Sequence, residues 1–70
     1  MNAKQVVYRY NGDPTSEEVE MDVDGNVPVP NRDTFLLRKG KRWKVVHVTE
    51  ESVLSKGAVP VLRIFLTDRL

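Results

Sequence analysis

No cysteine occurs in the 70 residues, so neither a disulfide nor a thiolate–zinc site can hold the fold. Histidine occurs once, at His47. Ser16, Ser52 and Ser55 are present, but no local pattern sets any of them in a nucleophile elbow or beside His47. No catalytic residue is assigned and no enzymatic activity is expected. The glycines Gly12, Gly25, Gly40 and Gly57 stand alone, each suited to a turn or cap, so there is no glycine-rich phosphate loop. No apolar run approaches the roughly 18–20 residues that span a bilayer, so no membrane partner is expected. The opening Met1-Asn2-Ala3-Lys4 lacks the apolar stretch of a signal peptide, and a soluble, cytoplasmic protein is the expectation. Isoleucine and alanine are sparse, while valine dominates the aliphatic residues. Valine is stiff at χ1 and favours strands, which points to an all-β fold.

A chain of this length forms one domain, here residues 1–70, and buries only roughly 60% of its unfolded surface. Its core must come from aliphatic side chains or from burial against a partner.

Lys4 to Tyr10 reads as a strand that ends at the turn Asn11-Gly12-Asp13-Pro14. Glu18 to Asp24 alternates strictly, with Val19, Met21 and Val23 on one face and the acids on the other. That is the pattern of a half-buried antiparallel strand, apolar side to the core and acids to water. Asp24-Gly25-Asn26 turns. Val27-Pro28-Val29-Pro30 lacks two donors and reads as a sheet edge or an extended connector. Thr34 to Arg38 and Arg42 to Thr49 form a hairpin around Lys39-Gly40-Lys41. In its return strand the apolar side switches at Val45-Val46, as a bulge would require. Residues 50–56 read as a single helical turn capped by Thr49, or as a plain loop; Glu50 and Glu51 would open the turn, Lys56 would close it and Gly57 would follow it. Val59 to Thr67 is the last strand, with Leu62, Ile64 and Leu66 sharing one face. Five short, mostly antiparallel strands joined by tight turns predict a small barrel, SH3-like, with a partly open OB-like closure as the alternative.

Charge is distributed in blocks. Residues 11–33 carry seven acids and one arginine, while residues 34–49 carry five bases and no acid, within a net charge of +1. The favoured reading is that the acidic strand neutralises the basic one. The basic block, Arg38, Lys39, Lys41, Arg42 and Lys44, surrounds the only tryptophan, Trp43. One reading makes these six residues a contact for nucleic acid or another anionic partner, with the bases on phosphates and Trp43 stacked on a base. The other makes Trp43 a core residue and the charges a solvated tip. A third gathers Tyr8, Tyr10, Phe35 and Trp43 into an aromatic cage for a cation. The stripe Glu18, Glu20, Asp22 and Asp24 is read as a solvated or ion-paired face. Asp22-Val23-Asp24-Gly25-Asn26 departs from the EF-hand loop because its glycine falls too early and no closing glutamate follows. No metal or other cofactor is expected, and no small-molecule substrate.

The segment Asn31 to Val48, about a quarter of the chain, has an Asp before a strand, a Gly-Lys tip and an aromatic opening a valine-rich strand. It resembles a unit that recurs in SH3-like barrels of small bacterial and phage proteins. The resemblance implies a fold. The peptide-binding SH3 domains of signalling proteins carry paired tryptophans and acidic neighbours around their first-strand tyrosines; this chain has one Trp and Tyr8-Arg9-Tyr10, so proline-rich ligands are not expected. The function expected from the sequence is a non-catalytic protein-interaction or assembly module, acting by self-association or on a protein partner. Nucleic-acid binding through the 38–44 hairpin is the alternative.

Overall fold

A computed structural model describes residues 3–51 and 59–69. Five strands form one sheet: β1 (Lys4–Tyr10), β2 (Glu18–Asp22), β3 (Phe35–Arg38), β4 (Lys41–Glu51) and β5 (Val61–Thr67). A short 3-10 turn, Pro14–Ser16, lies between β1 and β2, and the Asp13 side chain caps it by accepting from the Thr15 amide. The strand order is β2-β1-β5-β4-β3. All neighbours are antiparallel except β1 and β5, which run parallel. The sheet curls through 211° into an open half-barrel, so β2 and β3 are both edges.

The main core cluster lies on the concave side, while Val7 of β1 is buried on the other face, between Val19 and Arg63. Val6, Tyr8 and Tyr10 of β1 stand beside Leu62, Ile64 and Leu66 of β5, with Val45 and Trp43 of β4 next along. Val27, Leu36 and Val48 pack against this cluster from its margins. The connector between β2 and β3 thus contributes Val27 as a partial lid, while Pro28 and Pro30 keep it out of the sheet. The register shift in β4 falls between Val45 and His47, at the valine doublet. It turns His47 outward against Phe65, at 5.7 Å between ring centroids, and returns Val48 to the inner side.

The turns at Asn11-Gly12 and Lys39-Gly40 each have two successive residues of positive φ. At Lys39-Gly40 the angles are 53° and 75°, which makes the β3–β4 connection a two-residue type I′ hairpin matched to the twist of its strands.

Two expectations are corrected. The first concerns the helical turn: Thr49, Glu50 and Glu51 continue β4, because they pair with Arg63, Leu62 and Val61 of β5. The remainder of that segment lies outside the described residues. The second concerns the polarity of β2, which is inverted and ends at Asp22 rather than Asp24. Register places Glu18 beside Tyr8 and Glu20 beside Val6, so the acids face the concave side. Val19 and Met21 face outward and are each 56% exposed, and Val23 beyond the strand is exposed as well. The inversion holds because the acids find donors on the inner side, as follows.

Candidate functional site

Asp22 is the one buried acid among the described residues. Its carboxylate accepts from the amides of Asn26 at 3.2 Å and Val27 at 2.9 Å, and Lys4 Nζ stands 3.8 Å away while donating to the Val27 carbonyl. Two backbone donors in the turn after β2 are thereby satisfied, which ties the connector to the sheet. Glu18 and Glu20 serve the seam between β2 and β3. These strands share no backbone pairing, and side chains bridge them instead.

Arg38 is the principal bridge. It leaves the end of β3, lies over the Tyr8 ring at 3.7 Å from the centroid and donates from Nε to the Tyr10 hydroxyl at 2.8 Å. Its Nη2 donates to Glu20 at 2.8 Å and lies 4.0 Å from Glu18. The Tyr10 hydroxyl in turn donates to Glu18. Burial works against the Arg38 charge, but the bonds to Glu20 and Tyr10 outweigh it and hold the guanidinium above its ordinary pKa. Burial raises the Tyr8 phenol, with Arg38 opposing. Burial also raises Tyr10, aided by its bond to Glu18, and that same bond lowers the Glu18 carboxyl.

Each of the four aromatics considered for a cage is covered by a cation from the basic block itself. Arg38 lies over Tyr8, Lys39 over Tyr10 at 4.1 Å, Lys41 over Trp43 at 4.5 Å and Arg42 over Phe35 at 4.9 Å. Acids claim most of the same cations. Lys39 lies 3.9 Å from Glu18, Lys41 donates to Asp68 at 2.7 Å and Lys44 lies 3.5 Å from Asp33. Arg42 has no acid within 4.0 Å among the described residues. The opposite charges of the two blocks therefore meet across an open seam rather than along a hydrogen-bonded ladder. Lys39, Lys41 and Arg42 remain exposed to water.

Trp43 is 4% exposed. Its ring meets Tyr10 edge-on at 4.6 Å and its Nε1 donates to the Arg38 carbonyl. The six residues of the candidate contact thus divide: Trp43 belongs to the core, Arg38 to the seam, and the other four to the surface.

No protein-family model, curated protein or solved structure matches the chain. The site stands on its own geometry.

What the sequence analysis did not single out is the apolar flanking of the seam. Val19 and Met21 on β2 and Phe35 and Leu37 on β3 all point to the convex side, and Leu37 is 82% exposed. The signal was available in the alternation Glu18 to Asp22, whose apolar half was expected inside. No helix among the described residues is long and apolar enough to cross a membrane.

Proposed function

We propose that this chain is a non-catalytic protein-interaction module, a small SH3-like barrel open along one side, which docks on other protein through the β2–β3 seam. One observation carries the reading: both edge strands point aliphatic or aromatic side chains at water and keep their charges inward. Isolated exposed apolar residues need no explanation, but apolar residues lining both sides of an unpaired seam suit a docking surface. The cytoplasm is the compartment that fits this reading.

The test is site-specific crosslinking in cells. A photoreactive side chain at Leu37 or Met21 is expected to give discrete protein adducts, and the same group at Glu51, exposed on the convex side of β4 opposite Val61, is not. Equal labelling from all three positions would remove the support for a docking seam.

Nucleic-acid binding through the hairpin is the second reading, favoured by the exposure of Lys39, Lys41 and Arg42. It competes with the acids and rings that already hold these cations. Under it, Lys41→Glu with Arg42→Glu abolishes oligonucleotide binding while the fold survives. Under the first reading the pair of changes leaves Leu37 adducts intact.

A further inference from the structure

We infer that the seam accepts an extended segment of another protein, as an added strand between β2 and β3, and that the segment alternates apolar residues with lysine or arginine. The inference rests on the docking reading above and names its partner.

Backbone supply is the first ground. Among the described residues β2 pairs only with β1 and β3 only with β4, so each presents one unpaired side to the seam. An arginine and a glutamate reaching end to end, as Arg38 and Glu20 do, span at most roughly three interstrand spacings of about 4.8 Å. That leaves room for an added strand but not for a second sheet. The edge of a second folded copy would bring its own sheet behind it and does not fit between the two edges.

Area is the second ground. Val19, Met21, Phe35 and Leu37 together expose on the order of 500 Å². Two copies stacked through this surface alone would bury about 1,000 Å², short of the roughly 1,200 Å² at which stable interfaces begin. Main-chain pairing to both edges supplies what the apolar surface lacks.

Charge is the third. The inner row of β2 is Glu18, Glu20 and Asp22, and Arg38 reaches it from the opposite edge. Inward charge on an edge strand discourages chance pairing, so an incoming strand must bring the complementary sign. Arg38 already shows the fit. It lies against the Tyr8 ring, the Tyr10 hydroxyl and two carboxylates, the place an inward lysine or arginine of the added strand would take. The strand's outward residues would then fall between Val19 and Met21 on one side and Phe35 and Leu37 on the other.

The probe is a synthetic peptide alternating valine with lysine, compared with its lysine-to-glutamate counterpart and with a form N-methylated at alternate residues. Binding is measured by calorimetry, and amide hydrogen exchange is followed in β2 and β3. Saturable binding of the parent peptide, with new exchange protection in both strands, is the expected result. Either altered peptide should bind roughly tenfold more weakly or worse. Arg38→Gln, its fold checked by Trp43 emission, should bind the parent peptide more tightly, since it removes the resident competitor. Equal affinity of the N-methylated peptide would overturn strand addition while leaving the apolar docking surface standing. Absence of binding to both wild type and Arg38→Gln would overturn the proposal even where Leu37 crosslinks persist, and the docking reading itself falls only if those crosslinks also fail.

Discussion

Trp43 Nε1 donates to the carbonyl of Arg38 at 3.0 Å, across the hairpin that separates them. The bond fixes the indole beneath the strand whose side chain closes the seam, so the tryptophan reports on that corner of the core. Native emission should be blue-shifted and insensitive to iodide, and should shift red together with loss of β-sheet circular dichroism in urea. Trp43→Phe keeps the ring contact with Tyr10 but loses the hydrogen bond, and should cost less than the ~3–5 kcal/mol expected for Trp43→Ala. An emission maximum already at that of free tryptophan would contradict the burial.

The inverted polarity of β2 predicts an unusual pair of mutational effects. Val19→Asp should change stability by no more than about 0.5 kcal/mol, as for an ordinary surface substitution. Asp22→Ala should cost about 1–3 kcal/mol, because it strands the Asn26 and Val27 amides. A conventional amphipathic strand would give the reverse ranking. Urea midpoints for the two variants decide the matter.

Acid should weaken the seam through Glu18. Its folded pKa lies below the ordinary 4.5, chiefly because Tyr10 donates to the ionised form. A depressed carboxylate stabilises the fold above its unfolded pKa, and that contribution is lost as pH falls through the lower, folded value. Asp68 behaves alike through its bond from Lys41, starting from 3.8. Urea midpoints measured from neutrality into the acid range should fall, and Glu18→Gln should flatten the slope.

Alkali should act through the tyrosines with the opposite sign. Burial is the first cause that raises both Tyr8 and Tyr10 above 10.0. A raised folded pKa means that the neutral phenol is favoured in the fold. The stabilisation is complete below pH 10.0 and disappears as pH climbs through the folded values. Ultraviolet titration should show both phenols ionising later than in the urea-unfolded chain.

Gly40 tests the hairpin. A Cβ added there would meet nothing within 4 Å, so only its φ of 75° opposes substitution. Gly40→Ala should cost about 1–2 kcal/mol, and Gly40→Asn less, because asparagine tolerates the left-handed region. Equal losses for the two would indicate a packing cause instead, measurable by the same denaturant midpoints.

Much of this architecture is written locally. The strand Lys4–Tyr10, the turn at Asn11-Gly12, the hairpin at Lys39-Gly40 and the bulge at the Val45-Val46 doublet each follow from a few adjacent residues. The polarity of β2 does not. Alternation specifies a period of two but not which half faces in, and that choice depends on Tyr10 and Arg38, distant in sequence. Glu50 and Glu51 resemble the first turn of a helix, yet pairing with Leu62 and Val61 overrides that local preference. The seam was legible only in part. Its opposite charges stood out as blocks, whereas its apolar flanks required knowing that β2 and β3 are both edges.

The parallel pairing of β1 with β5 has a consequence for how the chain reaches this state. Val6 lies beside Leu62, with nearly the whole described sequence between them. β5 also carries β4 on its other side, so the last of the five strands in sequence is the one at the centre of the sheet. Without β5 the chain is two separate hairpins, each holding one half of the seam and neither able to bury its aromatics against the other. Assembly must wait for β5 and then close a long loop, which makes folding slow for so small a sheet.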